Sequence, residues 1–393
     1  MKKFSIVLTV LAVLLAAGLL IAGCQPAQQA KKEEAKKEAA KPAEIKLGVV
    51  APISGEAATF GESTKNGAAL YFDQINAAGG VAGMKIVYIV EDDKGDPTQG
   101  ANAYTKLIDQ DKVSAIVGTV MSKVSLAGAP IAQNKGIPMV SPTSTNPAVT
   151  LVGNFIFRAC FIDPFQGLVN AKFAASELKA KKAAVLYDAG NDYTKGLAEV
   201  FRDEFTKAGG KITAFESYAA GAKDFNAQLV KIKKDTPDVM FLPNYYNDAG
   251  LIAKQARQQG IKATFLGGDG WDSPDLAKIG GAAIEGGFFS NHFAVDSKVP
   301  AAQKFVADYK AKFNKDPDAL AALAYEAAMI VVDGIKRANS PDPKLIRDAI
   351  EKTNLETITG IIKFDANRNP VKGAIMLEVA KGGKFAFKAA VAP

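Results

Sequence analysis

Twice along this chain a short apolar run is followed by an amphipathic segment, and the pair then repeats. The first series starts at Ile45: "IKLGVVAPI" reads as a strand, "GESTKNGAALYFDQINAAGG" as a helix stopped by a glycine pair, "KIVYIVEDD" as a strand, and "DPTQGANAYTKLIDQD" as a helix opened by Asp96-Pro97. "VSAIVG", "VSLAGAPIAQNKG" and "IPMVS" continue the order. Strands this uniformly apolar are buried on both faces, which places them in a parallel sheet with helices on either side. After "NFIFRACFIDPFQG" the alternation restarts: a helix from Gln166 to Leu178, "KAAVLYD", a helix from Thr194 to Ala208, "KITAFESY", a helix around Phe225 to Lys234, "DVMFLPN", a helix from Asp248 to Gln258, and "ATFLGGD". The expectation is α/β, with two doubly wound parallel-sheet lobes. The tail departs from this pattern. Two longer helices, "PAAQKFVADYKAKFN" and "DALAALAYEAAMIVVDGIKRA", precede "PKLIRDAIEK" and the short strands "GIIKFD", "AIMLEVA" and "KFAFKAA".

Open α/β sheets bind ligands beyond the carboxyl ends of their strands. Six segments therefore matter: Ser54 to Gly61, Thr119 to Ser125, Ser141 to Asn146, Asp188 to Tyr193, Asn244 to Asn247, and Gly268 to Asp272. None holds a dinucleotide fingerprint, a P-loop or a Gly-x-Ser-x-Gly elbow. A single histidine, His292, rules out two-His metal sites; it lies outside the six segments and reads as an ordinary loop residue near a domain crossing. Cys160 reads as a packed thiol. No catalytic residue, metal or cofactor is expected. The segments do carry Ser, Thr, Tyr, the lone Trp271 and a few acids, an inventory that suits a zwitterion. Hydroxyls and helix N-termini hold a carboxylate, an acid holds an ammonium, and aromatic rings enclose an apolar side chain. On this reading the hydroxyls of Ser141 to Thr145 seat the ligand's charged end.

The N-terminus, "MKKFSIVLTVLAVLLAAGLLIAGCQ", has two lysines, an apolar stretch and small residues, the pattern of an export signal. Its Ile21-Ala22-Gly23-Cys24 resembles the bacterial lipoprotein signal, which implies removal of residues 1–23 and lipidation of Cys24. "QPAQQAKKEEAKKEAAKPAE" has no apolar stripe and reads as a solvated tether, giving 24–43 as lipidated cysteine and spacer. Of the formal net charge of +7, part belongs to these segments, so the globular part is only mildly basic and nucleic acid is not an expected partner. With one cysteine left after Cys24, no intrachain disulfide framework is possible.

From Ile45 onward the sequence resembles the type I periplasmic binding proteins for branched-chain amino acids, the leucine/isoleucine/valine-binding family of ABC importers. The residues that carry the resemblance are "IKLGVVAPISGEAATFGESTKNGAALYFDQINAAGG", "EDDKGDPTQGANAYTKLI", "RACFIDPFQG", "KDFNAQLVKIKKDTPDVMFLP" and "ATFLGGDG". It implies two lobes, 44–163 plus 293–370 and 164–292 plus 371–393, joined by a three-crossing hinge near Ile162 to Pro164, Ser290 to Ala294 and Pro370 to Gly373. It also implies site residues. Ser122 and Thr145 fall where the family holds the ligand carboxylate, Thr143 where a backbone carbonyl meets the ammonium, and Asp269 where an acid, often Glu, neutralises it. Phe60, Val120, Met121, Tyr193 and Tyr245 fall on the side-chain pocket. Trp271 has no counterpart in the family pattern and is expected in the cleft only from its strand-end segment. Phe60 stands where relatives often have Tyr, and Gly95 and Met121 replace a cysteine pair found in some relatives. The implied partners are a small amino acid, the transmembrane subunits of an ABC permease and, through the lipid anchor, the membrane. The implied form is a monomer tethered outside the cytoplasm. The alternatives are a binding protein for an aromatic amino acid, a short amide or urea, and a ligand-sensing receptor module.

Overall fold

The computed structural model describes residues 43–392; the export signal, Cys24 and all but the last residue of the expected tether lie outside the described residues. Five strands, β1 (Glu44–Ala51), β2 (Lys85–Asp92), β3 (Ala115–Val117), β4 (Met139–Ser141) and β5 (Ile156–Arg158), form a wholly parallel sheet in the order β2-β1-β3-β4-β5. Helices α1 (Ala58–Ala77), α2 (Pro97–Thr105), α3 (Ser122–Lys135) and the short α4 (Ala148–Leu151) connect them.

After α5 (Asp163–Lys172) the same winding is repeated by β6 (Lys182–Asp188), α6 (Asp192–Lys207), β7 (Lys211–Tyr218), α7 (Asn226–Lys234), β8 (Val239–Leu242), α8 (Tyr246–Gln258), β9 (Thr264–Gly267), α9 (Asp275–Gly280) and β10 (Phe288–Asn291), with parallel order β7-β6-β8-β9-β10. The chain returns to the first lobe as α10 (Pro300–Phe313), α11 (Ala319–Ala338), α12 (Pro343–Glu351) and a hairpin of β11 (Asn354–Thr357) and β12 (Gly360–Lys363). It ends in the second lobe with β13 (Ala374–Val379) and β14 (Phe385–Val391). These last strands pair antiparallel with β10 and with each other, so the second sheet has seven strands and is mixed, where the sequence led us to expect parallel strands alone. Five residues are too few for a crossover between parallel neighbours, and β13 and β14 are joined by a turn of that length.

The sequence patterns explain the layers. Helix α6 buries Tyr193, Leu197, Phe201 and Phe205 at four-residue spacing, one stripe laid against the second sheet. Helix α11 is apolar around most of its circumference because most of it is covered, leaving the stripe through Tyr325, Met329 and Asp333 half-exposed: Leu323, Ala327 and Val331 share one core with Leu47, Val49 and Val117 of the sheet and with Phe72 of α1.

Three segments, 159–162, 292–299 and 364–373, pass between the lobes. A buried ion pair lies where two of them approach α11. Lys372 Nζ is 2.7 Å from Glu326 Oε2, with side chains 3% and 0% exposed, and it also donates to the Ala159 carbonyl at 3.1 Å. The other Glu326 oxygen accepts from the Thr357 hydroxyl (2.5 Å) and the Thr359 N–H (2.7 Å). One lysine thus ties the first and third crossings to a first-lobe helix. Among the described residues no helix is long and apolar enough to cross a membrane.

Candidate ligand-binding site

The carboxyl ends of the parallel strands of the two sheets face one another across a narrow cavity of about 20 Å³. The first lobe contributes Phe60, Val120, Ser122, Thr143 and Leu320; the second contributes Tyr193, Tyr245, Asp269 and Gly270. That volume is room for about one water molecule, so the two walls lie nearly in contact.

The first-lobe wall is the N-terminus of α3 and the loop after β4. Ser122 is the first residue of α3, so its hydroxyl stands beside backbone N–H groups that helix geometry leaves without partners. The Ser122 Oγ accepts from the Asn146 N–H at 3.3 Å. Beneath it the loop is tied down by its own hydroxyls: Ser141 donates to the Thr119 carbonyl (2.7 Å), Ser144 to the Val120 carbonyl (3.0 Å), and the Ser125 and Ser144 hydroxyls meet at 2.7 Å. The buried Arg158 guanidinium holds the Ser144 and Asn146 carbonyls at 2.5 and 2.8 Å. Of Ser141 to Thr145, only Thr143 lines the cavity. The expectation of a hydroxyl-rich ligand seat is thereby corrected, because most of those hydroxyls fix the loop instead.

The second-lobe wall is aromatic and carries one carboxylate. Asn191 caps α6 by accepting from the Tyr193 N–H, which fixes Tyr193 in the first turn. The rings of Tyr193 and Tyr245 stack at 5.3 Å, and Phe60 meets Tyr245 edge-on at 5.8 Å from the opposite lobe. Asp269 lies between two glycines. A Cβ at Gly268 would come within 2.6 Å of the Tyr193 hydroxyl, so only glycine lets the turn pass this close. The Tyr193 hydroxyl donates to Asp269 Oδ1 at 2.9 Å, and His292 Nε2 is 3.1 Å from Asp269 Oδ2. Burial, and then the charge of Asp269, raises the Tyr193 phenol well above its ordinary value, so it remains a donor.

Three expected site residues are absent from the cavity wall. Trp271 is fully buried in the second-lobe core, its indole N–H donating to the Leu242 carbonyl at 3.0 Å; the 3₁₀ turn Asp269–Trp271 points the acid one way and the indole the other. Met121 turns its thioether toward Gly95, whose missing side chain leaves the space. Thr145 lies behind Ser122: its carbonyl accepts from the Asp163 N–H at 3.0 Å, and its hydroxyl faces the Asp163 carboxyl without completing a hydrogen bond. Burial pushes that carboxyl up to about 8. Sequence reasoning missed Leu320, Gly270 and His292. His292 does lie in a loop at a domain crossing, as expected, but it is buried, stands behind the wall and reaches Asp269. It follows β10, a seventh strand end whose "FFSN" run after a glycine pair was the available signal.

The lobes touch around the cavity. The Tyr246 hydroxyl donates to the Glu56 carbonyl (2.7 Å), the Asn146 side chain donates to the Asp192 carbonyl (3.0 Å), and the Thr59 and Ser273 hydroxyls meet at 3.0 Å. On one flank Asp272 of the second lobe accepts from the Ala319 N–H at the start of α11 (2.7 Å) and from Asn291 (2.9 Å). Asp318 beside it caps the same helix and accepts from Ser63 at 2.5 Å. Burial raises both carboxyls, and repulsion from Asp318 raises Asp272 further.

Two lobes wound alike, three crossings and a cavity between strand ends define a class, and the comparisons assign it: residues 44–384 match the periplasmic binding protein family model, and the chain belongs to that family. Among its relatives, the leucine-, isoleucine-, valine-, threonine- and alanine-binding protein of Pseudomonas aeruginosa is 34% identical over 323 residues, 82% of this chain and 86% of that one. The structure is similar to the leucine-binding protein LivK of Thermotoga maritima, with TM-score 0.85 and 39% identity over 89% of this chain and 99% of that one. It is also similar to LivJ of Streptococcus pneumoniae, solved with isoleucine, with TM-score 0.83 and 34% identity over 88% and 99%.

Proposed function

We propose that this chain is the extracytoplasmic substrate-binding component of an ABC importer, taking a branched-chain (leucine/isoleucine/valine-like) amino acid between its lobes and delivering it to a permease. The observation that carries the reading is the polarity of the cavity: one carboxylate, Asp269, on one wall, and Ser122 with the N-terminus of a fourteen-residue helix on the other. A zwitterion satisfies both at once, its carboxylate at α3 and its ammonium at Asp269. Phe60, Val120, Leu320 and Tyr245 supply the apolar lining that an aliphatic side chain would pack against once the lobes part to admit it. The relatives that bind leucine and isoleucine favour the same ligand class.

Both walls come from one chain, so a single copy completes the site. Lipidation at Cys24 would hold it at the membrane beside the permease. An aromatic acid or an uncharged amide would leave the Asp269 carboxylate without a cation in a closed cleft, which weighs against those ligands. Turnover chemistry has no support in the cavity wall, where the Ser122 hydroxyl meets a backbone N–H and no base. Calorimetry with a panel of amino acids and amides tests the reading. L-leucine, L-isoleucine or L-valine should bind, and Asp269→Asn should cost about 2–5 kcal/mol, as for one partner removed from a buried charge pair. Equal affinity of the variant and the wild type would overturn the placement of the ammonium.

A further inference from the structure

Asp269 is held from two sides, and the second holder belongs to the hinge. His292 is the first residue after β10, at the start of the second crossing, and its ring stacks on Phe161 of the first crossing with centroids 3.6 Å apart and planes at 24°. The imidazole is therefore clamped where two crossings run side by side. From there it reaches forward to Asp269 Oδ2 at 3.1 Å. A carboxylate oxygen can only accept, so the ring proton sits on Nε2; Nδ1 is buried without a partner.

We propose that His292 is a positioning residue for ammonium binding: its Nε2–H aims the Asp269 carboxylate into the cavity, and protonation of the ring loosens the ligand. The inference rests on the reading of Asp269 as the ammonium seat. A neutral ring donates one hydrogen bond and leaves the charge of Asp269 for the ligand. An imidazolium would neutralise that charge and set a second cation beside the ammonium.

The surroundings define which charges the ring senses. Asp269 faces it from the turn after β9. Glu326 of α11 and Lys372 of the third crossing also act on it, but they pair with each other at 2.7 Å. Asp163 of α5, Asp272 after β9 and the Cys160 thiol of the first crossing act on or are acted on by Asp269. Of these, Asp163 and Cys160 are pushed up by burial, to about 8 and about 12, and are uncharged at neutral pH. Burial lowers the ring's own proton affinity, and Asp269 partly restores it. The ring is therefore neutral at neutral pH and gains its proton only below the ordinary histidine value of about 6.5. Because linkage is reciprocal, a ligand ammonium must make that protonation harder still.

His292 is the only histidine of the chain, so its Cε1–H resonance is unambiguous. The experiment is an NMR pH titration of that resonance in the full-length protein, with and without L-leucine, in wild type and Asp269→Asn, alongside calorimetry of L-leucine binding to wild type, His292→Gln and His292→Phe. In wild type the midpoint should lie below about 6.5 and drop by about half a pH unit or more with leucine, equivalent to an about threefold loss of affinity on protonation. Asp269→Asn should lower the midpoint of the free protein. His292→Gln keeps a donor that does not titrate; it should bind within about threefold of wild type at neutral pH and lose the acid weakening, whereas His292→Phe should lose about tenfold or more. A midpoint indifferent to both leucine and Asp269→Asn, a ring that stays neutral down to acid unfolding, or an equal pH slope in His292→Gln each overturn the proposal. If instead Asp269→Asn binds leucine as wild type does, or leucine does not bind at all, the ammonium seat itself is wrong and the proposal goes with it.

Discussion

Two residues apart, Asp269 and Trp271 have opposite fates, and the residue scale shows why. The turn that carries them is packed from beneath by the indole, against which a Cβ at Gly267 would collide, while the acid is left at the cavity face. A tryptophan in a strand-end segment looks like a ligand wall in the sequence, yet the backbone turn decides which way it points. Trp271 should therefore emit as a buried indole, resist quenching by acrylamide, and keep its emission maximum when leucine is added; a clear red or blue shift on ligand addition would put the ring back at the cleft. Asp269 was legible because its segment matched a known family at a strand end. His292 was not, since its role depends on the contact between two crossings that are far apart in sequence.

At the scale of elements, what the alternation of apolar runs revealed was the parallel winding, and with it six strand ends, because burial on two faces leaves an unmistakable apolar signature in the strand. The pieces that escaped are those without that signature. Strand β11 reads "NLET" and is half exposed on a hairpin, and β13 and β14 show their antiparallel pairing only through a short turn. The crossings were indicated by the family resemblance, but the ion pair that ties them down was hidden, since Lys372 looks like any surface lysine until its partner on α11 is known. Removing one member of that buried pair strands the other's charge. Lys372→Met or Glu326→Gln should each lower unfolding stability by about 3–5 kcal/mol, and the double change to apolar residues should recover most of the loss. Chemical denaturation of the three variants checks this, and additive losses would show that the two groups do not act as a pair.

For the whole molecule, buried acids set the response to pH. Burial raises Asp93 to about 6 and Asp163 to about 8, and it raises Asp272 and Asp318 as well. An acid whose folded value exceeds its unfolded value of about 3.9 binds more protons when folded, so each contributes stability at low pH that is lost as pH rises through its folded value. His292, lowered on folding, works the opposite way below about 6.5, but it is one group against four. The melting temperature should thus be higher near pH 5.5 than near pH 8, by about 5 °C or more, in thermal unfolding without ligand. A melting temperature that rises across this interval would mean that these carboxyls are ionised in the fold. The path of the chain between its sheets has a separate consequence for how the protein is made. The first sheet is complete at Arg158, yet its core lacks α11 until residue 338, and the second sheet waits for the edge strand ending at Val391. A chain emerging N-terminus first therefore cannot finish either half early, and the face of the first sheet that α11 covers stays open until most of the chain has been made.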